Sequence, residues 1–321
     1  MRITVAVCTW NRCALLKETL EQVVRLAIPS EVDWQLLVIN NNSTDATEGV
    51  LTAFKSRLPL HAVLESNPGL SNARNRAVAE ATGDYILWTD DDVLVDEGWM
   101  TAYCEAFARW PEAAIFGGNI KPWFEGTPPA WLDKIWPRVA SAFATRDLGE
   151  KSVELSHEVL PFGANFAVRT NEQRRYLYDP QLGVRPDSVI GGEETTVIKC
   201  MLADGMKGRW VPDARVRHYI PSARQTIPYL RKYFRGYGEY CALQDASSSE
   251  PAMLGAPRWL WREAISKETR YRFHRFFSQP EVWIEDLIAS SQAWGQLQVF
   301  RSKRTAVDSN QRVEEVKNEM I

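Results

Sequence analysis

Short apolar runs alternate with segments of helical spacing along the first ninety residues. Four such runs predict buried strands, namely Ile3–Cys8, Trp34–Ile39, Leu60–Leu64 and Tyr85–Thr89. Three segments between them predict helices, namely Arg12–Leu26, Ala46–Arg57 and Leu70–Ala81. Strands that alternate with helices are typical of a parallel sheet covered by helices on both faces, so we predict an α/β fold.

The pattern changes after residue 120. Residues 121–160 are rich in Pro and Trp and predict a long irregular segment. Predicted strands follow at Phe162–Val168, Gly208–Val211 and Ala214–His218, and a predicted helix at Glu193–Ala203. After residue 222 helical patterns continue at Ile227–Leu243, Trp259–Ser266 and Pro280–Val299. We therefore predict one domain over residues 1–221, with halves at 1–120 and 121–221, and a helical extension over residues 222–321.

The composition narrows the classes of protein. The 321 residues are 45% apolar and 25% charged, as in soluble globular proteins, and the net charge of -3 argues against a nucleic acid partner. Five cysteines without CxxC spacing argue against disulfides and zinc, which favours a cytoplasmic location. We see no signal peptide at the start and no transmembrane run, and peripheral membrane contact stays open.

The sharpest local feature is the run Asp90-Asp91-Asp92, which ends the fourth predicted strand. Three consecutive carboxylates raise each other's pKa and cost stability unless a cation neutralises them. Mg²⁺ characteristically takes one or two protein carboxylates and fills its other positions with water and substrate phosphates. The run therefore predicts a divalent metal site. The alternative is a solvated acidic turn before the next helix.

Two polar segments are candidates for nucleotide binding. The run Asn40 to Asp45 closes the second strand and could read a base and ribose, or it could merely cap the next helix. The segment Asn67 to Asn75 opens a helix, whose N-terminus attracts phosphate, and Arg74 adds a charged donor there. Ligands of such sheets bind beyond the carboxyl ends of the strands, so Asn40–Asp45 and Asp90–Asp92 are expected to face one crevice.

Glutamates and a histidine in the second half are candidates for chemistry. Gly191-Gly192 precedes Glu193 and Glu194 at a helix start. One glutamate could take a proton from an attacking hydroxyl, although acidic residues there could also only complement the helix dipole. A lone histidine such as His218 is usually structural, and it becomes a metal-ligand candidate only beside an acidic metal site.

Taken in order, these segments resemble the family 2 glycosyltransferases with the GT-A fold. Six segments are similar to motifs of that family: Val5–Arg12 to its first strand and Thr-aromatic-Asn-Arg turn, Val38–Asp45 to its second-strand signature, Asn67–Asn75 to its Asn-x-Gly…Ala-Arg-Asn helix, Asp90–Asp92 to its DxD metal motif, Phe162–Asn165 to the strand beside the acceptor, and Gly192–Glu194 to the Gly-Glu-Asp motif that carries the base. The final hundred residues carry no such motif.

The resemblance implies a GT-A fold, with a Rossmann-like central sheet, helices on both faces and a C-terminal helical extension. Residues 1–120 would then bind the nucleotide sugar and residues 121–221 would form the acceptor side. The donor contacts that it implies are Thr9, Asn11, Arg12, Asn40, Asn42, Asp45, Asn67, Gly69, Arg74, Asp90 and Asp91. The acceptor-side contacts are Gly163, Asn165 and Trp123, and the metal ligands for Mg²⁺ or Mn²⁺ are Asp92, Asp90 and His218.

Two positions depart from the family pattern. Asn40 stands where the family commonly has Asp, so a uridine donor is favoured but not fixed. Glu194 stands at the position of the catalytic Asp, and we expect Glu194 rather than Glu193 to be the base. The segment 121–160 could close over the bound substrates, and its Trp123, Trp131 and Trp136 could stack on sugar or simply pack beneath it.

The resemblance therefore implies an inverting, metal-dependent glycosyltransferase that moves a sugar from a nucleotide-diphosphate donor to a saccharide, lipid-linked or other hydroxyl acceptor in polysaccharide, glycolipid or glycoconjugate synthesis. The alternatives are a nucleotidyltransferase of similar fold and a catalytically silent nucleotide-sugar-binding protein. The basic aromatic stretch Arg270–Phe277 could meet a lipid surface, or it could be a core-facing helix with an arginine rim.

Overall fold

The structure, a computed structural model, describes residues 1–184, 191–244 and 252–319. The chain divides into two units. The first holds Met1–Gly126 and Phe143–Pro221, and the second holds Thr127–Ala142 and Ser222–Ile321. The division of function between residues 1–221 and a C-terminal extension stays a prediction.

The first unit is built around strands and the second around helices. The strands are β1 (Arg2–Thr9), β2 (Asp33–Asn40), β3 (Leu60–Leu64), β4 (Tyr85–Asp90), β5 (Val93–Val95), β6 (Ala113–Phe124), β7 (Asn165–Arg169), β8 (Lys207–Ile220), β9 (Ala252–Met253) and β10 (Ala256–Pro257). The helices are α1 (Cys13–Val23), α2 (Thr47–Phe54), α3 (Leu70–Glu80), α4 (Trp99–Arg109), α5 (Ala130–Val139), α6 (Thr170–Gln173), α7 (Glu193–Ala203), α8 (Ile227–Gln244), α9 (Arg258–Phe277) and α10 (Pro280–Glu319).

Within the described residues, β1 to β8 form one sheet in the order β3-β2-β1-β4-β7-β6-β8-β5. The strands β1, β2, β3 and β4 run parallel, as the alternation of strands and helices predicts. The remaining strands make the sheet mixed, because β7 is antiparallel to β4 and β6, and β5 is antiparallel to β8. The connection between β6 and β7 starts and ends at the same end of the sheet. Because β7 begins where β6 ends, the two strands run antiparallel.

Helices cover both faces of this sheet. Side chains alternate between the two faces along a strand. Val5 of β1 shares one buried cluster with Leu16 and Leu20 of α1, whereas Ala6 shares the opposite cluster with Ala77 of α3. Because both faces bury apolar side chains, the parallel strands read as nearly continuous apolar runs.

A fully buried amide joins four elements of the first unit. The Oδ1 atom of Asn165, at the start of β7, accepts hydrogen bonds from Trp99 Nε1 and Tyr103 Oη of α4, each at 2.8 Å. Its Nδ2 atom donates to the carbonyl oxygens of Asn119 at 3.0 Å and Ala214 at 2.7 Å. Both protons and both lone-pair positions of the amide are therefore used inside the core.

Several elements differ from the sequence predictions. The segment 121–160 is not irregular throughout, because β6 extends to Phe124 and residues 130–139 form α5. The prolines of this segment are compatible with the helix, because Pro129 precedes the first turn of α5, where proline is tolerated, and Pro137 lies near its last turn. The strands β5 and β6 were not predicted, and α4 entered the predictions only as the helix that would follow an acidic turn.

Two predicted breaks are also absent. Residues 207–220 form one strand rather than two, since the Pro212-Asp213 step is a register shift in the pairing with β6. The helix predicted at Trp259–Ser266 continues to Phe277 as α9, because apolar side chains on both sides of residues 267–277 obscure the helical period. Among the described residues, no helix combines the length and the apolar character needed to cross a membrane.

We predict that Asn165→Leu destabilises the protein by about 3–5 kcal/mol, because it removes the acceptor of two buried donors and one hydrogen bond from each of two buried carbonyls. Urea unfolding followed by circular dichroism measures this free energy. As a control, Asn171→Leu on the exposed surface of α6 should change it by less than about 0.5 kcal/mol. Equal effects of the two substitutions would show that the amide network is dispensable.

Candidate functional site

The polar ends of three neighbouring strands meet at one edge of the sheet. The parallel register sets Thr9 of β1 opposite Asn40 of β2, and Cys8 opposite Asp90 of β4. The turns that follow these residues are therefore adjacent, as expected for the carboxyl ends of parallel strands.

Asp91 is buried and bonded on both oxygens. Its Oδ2 atom accepts from Thr9 Oγ1 at 2.8 Å, and its Oδ1 atom accepts from Arg12 Nη1 at 3.0 Å. The same guanidinium nitrogen donates to Asp92 Oδ2 at 2.9 Å. Burial nevertheless raises the pKa of Asp91 to about 7, since desolvation outweighs the attraction of Arg12. Arg12 thus stabilises two carboxylates that the fold removes from water.

His218 reaches the acidic run through antiparallel pairing. The register between β5 and β8 sets His218 opposite Val93, directly after the run, and the Tyr219 amide donates to the carbonyl oxygen of Asp92 at 2.9 Å. One ligand atom each from Asp90, Asp92 and His218 lie within 4.8 Å of one another. The distance between Asp92 Oδ1 and His218 Nε2 is 3.5 Å.

This donor set fits a divalent cation. Two carboxylates about 5 Å apart repel by roughly 3 kcal/mol at an effective dielectric constant of about 20. Asp92 Oδ1 is buried and accepts no hydrogen bond from the described residues, which is unusual for a carboxylate oxygen. Carboxylate oxygens suit Mg²⁺ and Mn²⁺, and a neutral imidazole is a common additional metal ligand.

Arg74 of α3 is buried behind the acidic run. Its guanidinium carbon lies 5.5–5.7 Å from the ring centroids of Trp88, Phe166 and Tyr178, within the range of cation–π attraction. Its Nη2 atom lies 3.7 Å from Asp90 Oδ1 and 3.9 Å from Glu193 Oε1. Arg74 therefore links the acidic run to the start of α7.

The two glutamates of α7 have different surroundings. The helix begins after Gly192, which adopts the left-handed conformation with φ 99°. Glu193 is buried, and burial followed by the charge of Glu194 raises its pKa to about 7, against the opposing effect of Arg74. Glu194 is half-buried, and its Oε1 atom accepts a hydrogen bond from the Gly163 amide at 3.2 Å.

Two neighbouring side chains approach the backbone of Gly163 so closely that they leave no room for a β-carbon. A β-carbon built there would lie 2.7 Å from Arg74 Nη2 and 3.3 Å from Glu194 Oε1. Any larger residue would displace the arginine or the glutamate. Gly163 thus belongs to the predicted site, although as a spacer rather than through a side chain.

The turns after β1 and β2 hold each other. Asn11, which has φ 52°, accepts at Oδ1 from the Thr44 amide at 2.7 Å. Asn40 Oδ1 accepts from the Ser43 amide at 2.9 Å. Asp45 accepts from the amides of Cys13 at 2.9 Å and Thr47 at 3.1 Å and from the Thr47 hydroxyl. Desolvation raises the pKa of Asp45, but the hydrogen bonds, led by the Thr47 hydroxyl, lower it to about 2.

These hydrogen bonds and turns give several of the predicted donor residues a structural role. Asp45 caps the starts of α1 and α2. Asn42 is exposed and has φ 60°, so it supplies the left-handed turn. Both lie at the edge that carries the acidic run, so neither role excludes a contact with a ligand.

Asn41 is a residue that the sequence interpretation missed. Its Oδ1 atom accepts from the Gly69 amide at 2.8 Å, and its Nδ2 atom donates to the carbonyl oxygens of Asn67 at 2.6 Å and Glu65 at 3.0 Å. It therefore fixes the turn before α3, where Gly69 has φ 123°. Its place within a run of three asparagines was the available signal, but nothing in the run distinguishes it from Asn40.

The predicted acceptor residues do not all lie together. Asn165 is committed to the core network, so the geometry favours a structural role over the predicted acceptor contact. Trp123 is half-buried at the end of β6, where its ring lies edge-on to Tyr219 with centroids 5.0 Å apart. The structure brings together Thr9, Arg12, Arg74, Asp90, Asp91, Asp92, Gly163, Glu193, Glu194 and His218.

Comparison with known proteins gives one family. Residues 4–163 match the model of glycosyl transferase family 2. The chain is 25% identical over 241 residues to the succinoglycan biosynthesis protein ExoM of Rhizobium meliloti, covering 72% of this chain and 71% of that protein. It is 27% identical over 118 residues to the poly-beta-1,6-N-acetyl-D-glucosamine synthase of Staphylococcus epidermidis, covering 36% of this chain but only 28% of that relative.

Solved structures show the same fold. A mannosyltransferase from Pyrobaculum calidifontis, in complex with GDP-Man and Mn²⁺, matches 98% of this chain and 80% of its own with a TM-score of 0.55 and 16% identity. S. aureus TarS in complex with UDP-GlcNAc matches 97% of this chain and 92% of its own with a TM-score of 0.51 and 15% identity. The predicted GT-A fold with C-terminal helices is thereby confirmed.

We predict that the metal-free protein loses stability as the pH rises from about 4.5 to about 7. The pKa of Glu193 is about 7 in the folded protein against an ordinary value of 4.5, so the folded state binds this proton more tightly and is favoured at low pH. Glu193→Gln should reduce the loss by roughly 2–3 kcal/mol.

Urea unfolding in chelator-containing buffer at several pH values measures this slope. Glu112→Gln, at an exposed position, is the control and should leave the slope unchanged. A slope that Glu193→Gln does not alter would contradict the burial of an ionisable carboxyl at this position.

Proposed function

The chain belongs to glycosyl transferase family 2, and from that premise we propose that it transfers a sugar from a nucleotide-diphosphate donor to a hydroxyl acceptor, with inversion at the anomeric carbon. It is a glycosyltransferase related to enzymes of polysaccharide biosynthesis. The feature that best supports the finer assignment is the group Asp90, Asp92 and His218, which Arg74 links to Glu193 and the start of α7.

We place the donor diphosphate beside the acidic run. Asp90, Asp92 and His218 would hold Mg²⁺ or Mn²⁺, which when bound neutralises the charge that grows on the leaving diphosphate. Arg12 keeps Asp91 and Asp92 fixed. Five carboxylates and two arginines leave a net charge of about −3 when all are ionised, so a diphosphate approaches only with a cation.

The base is proposed to be uracil, read in part by Asn40. The Oδ1 atom of Asn40 is occupied by the Ser43 amide, and within the described residues its Nδ2 atom donates to no protein group. An amide nitrogen held in this way donates to a base carbonyl. The similar folds above bind a UDP-sugar in one case and a GDP-sugar in the other, so uridine rests on the motif and this geometry.

Glu194 is the proposed general base. It is half-buried and oriented by the Gly163 amide, so it can face an acceptor, whereas Glu193 is buried beside Arg74. Glu194 takes the proton of the acceptor hydroxyl. The hydroxyl oxygen then bonds to the anomeric carbon from the face opposite the diphosphate, and the electrons of the broken carbon–oxygen bond leave with the diphosphate.

The acceptor is proposed to be a saccharide or a lipid-linked sugar. All five cysteines are free of disulfides, which fits a reducing compartment, and we propose a cytoplasmic location on that ground.

A nucleotidyltransferase is less favoured, because the turn after β1 is Thr9-Trp10-Asn11-Arg12 and lacks the glycine-rich phosphate loop of that class.

We predict that UDP-sugars raise the melting temperature in the presence of Mn²⁺ by roughly 5 °C at a hundredfold excess over Kd. A panel of UDP-, GDP- and TDP-sugars, with and without Mn²⁺, identifies the base. Asp92→Asn should abolish the Mn²⁺-dependent part of the shift, since it removes a charged ligand.

Asp96→Asn is the matched control, because Asp96 is an exposed acid near the same run and should leave the shift unchanged. Larger shifts with GDP-sugars would refute the uridine assignment. Shifts that do not depend on Mn²⁺ or on Asp92 would refute the metal site.

We predict that Glu194→Gln lowers turnover roughly 10²–10⁴-fold while leaving the donor-dependent melting shift intact, because a general base acts on the proton and not on donor binding. Hydrolysis of the donor identified above, with water as acceptor, provides the readout without a known acceptor. Glu97→Gln, an exposed residue, should retain wild-type turnover. Near-normal hydrolysis by the Glu194 variant would transfer the role to another group.

A further inference from the structure

The helix α9 of the second unit has one face in the interior and one face in solvent. It has 20 residues, which gives a length of about 30 Å. Leu260, Ala264 and Tyr271 are buried, and the first two lie in an apolar cluster with Ala293 and Leu297 of α10. The opposite face is free of such packing within the described residues.

That outer face carries large apolar side chains in solvent. The exposed fractions are 53% for Trp259, 54% for Ile265, 62% for Phe273, 82% for Phe276 and 77% for Phe277. Successive helical residues turn by about 100°, so these five positions fall within an arc of about 120° on one side of the helix. This many exposed large apolar side chains on one face of a helix is typical of an interaction site.

Arginines accompany the apolar side chains on the same face. Arg258, Arg262, Arg270 and Arg272 are all exposed, and helical spacing sets them within or at the edges of the same arc. The acids of α9 are Glu263 and Glu268, which are half-buried and lie outside the arc. Arg270 is paired with Asp286 at 3.4 Å and Arg272 with Glu268 at 2.8 Å, so within the described residues Arg258 and Arg262 supply the net positive charge of this face.

A basic cleft extends this positive surface from α9 toward α8. The cleft has a volume of about 750 Å³. Its charged lining consists of Arg231, Lys232, Arg235, Arg272 and Arg275 with the single acid Glu268. Glu268 is already paired with Arg231 at 3.1 Å and Arg272 at 2.8 Å, so it neutralises only part of this charge.

We propose that the outer face of α9 docks on a lipid surface that contains anionic phospholipids. The helix lies in the plane of the interface, where the five apolar side chains enter the boundary between headgroups and acyl chains. The arginines reach the lipid phosphates, and the cleft beside them attracts further headgroups. Docking needs both kinds of side chain. The apolar residues insert into the interface, and the arginines make the binding selective for anionic lipid.

A second copy of the chain is a poorer occupant of this face. In a symmetric dimer the same patch meets itself, and within the described residues its arc holds no acid that could pair with Arg258 and Arg262 of the other copy. Like charges in that position oppose association. A phosphate-bearing surface removes the conflict, since it supplies the missing negative charge over the whole length of the helix.

Sedimentation of the full-length protein with vesicles tests the proposal. We expect binding to vesicles of phosphatidylcholine mixed with phosphatidylglycerol, and little binding to phosphatidylcholine alone. The triple variant Phe273→Ser, Phe276→Ser, Phe277→Ser should lower partitioning roughly a hundredfold, because it removes three aromatic side chains from the interface. Val282→Ser is the matched control, since Val282 is 48% exposed on α10 rather than on α9.

The double variant Arg258→Gln, Arg262→Gln tests the charge separately. It should weaken binding to the anionic vesicles several-fold and reduce its dependence on salt. Melting temperature and the nucleotide-sugar shift should stay at wild-type values in all variants, which separates this proposal from the proposed transferase activity.

Three results would overturn the docking proposal. One is wild-type protein that ignores anionic vesicles or binds neutral ones equally well. Another is a triple variant that binds as the wild type does. The third is a wild-type dimer in solution that the triple variant converts to a monomer without any vesicle binding, which would assign the face to a second copy.

Discussion

The mutual repulsion of carboxylates at the end of β4 is the constraint around which the first unit is organised. Asp90, Asp91 and Asp92 arrive together because an apolar strand ends there, and α7 adds Glu193 and Glu194. Removing such groups from water is costly unless cations or hydrogen-bond donors face them. Nearby elements supply these cations and donors. Thr9 ends β1 and Arg12 follows it, Arg74 lies on α3, and the Gly163 amide precedes β7.

The burial of Arg74 follows from the same constraint. A buried guanidinium would be costly by itself, yet here it lies between Asp90 and Glu193 and against three aromatic rings. Each partner is held by a different element, so the position of Arg74 depends on the assembled sheet. Conversely, the arginine sets the spacing between the acidic run and α7, which is why Gly163 tolerates no β-carbon. The site and the fold stabilise each other through this one side chain.

Sequence reasoning succeeded where local patterns decide. Apolar runs located β1 to β4, and the place of Asp90 after β4 followed directly. The approach of His218 to Asp92 was anticipated only through the family resemblance, because it depends on antiparallel pairing between β5 and β8 across more than a hundred residues. The core role of Asn165 gave no signal in the sequence, since its four hydrogen bonds reach residues 46–66 positions away. Non-local contacts of this kind are what periodicity cannot contain.

Adjacent glutamates at a helix start illustrate how the fold separates chemically identical groups. Consecutive residues of a helix point about 100° apart, so when Glu193 faces the buried arginine, Glu194 must face another direction. Burial then raises the pKa of Glu193, whereas the backbone amide of Gly163 orients Glu194 at the partly exposed position. The division between a buried glutamate beside Arg74 and a partly exposed glutamate held by the Gly163 amide therefore follows from helix geometry and one glycine.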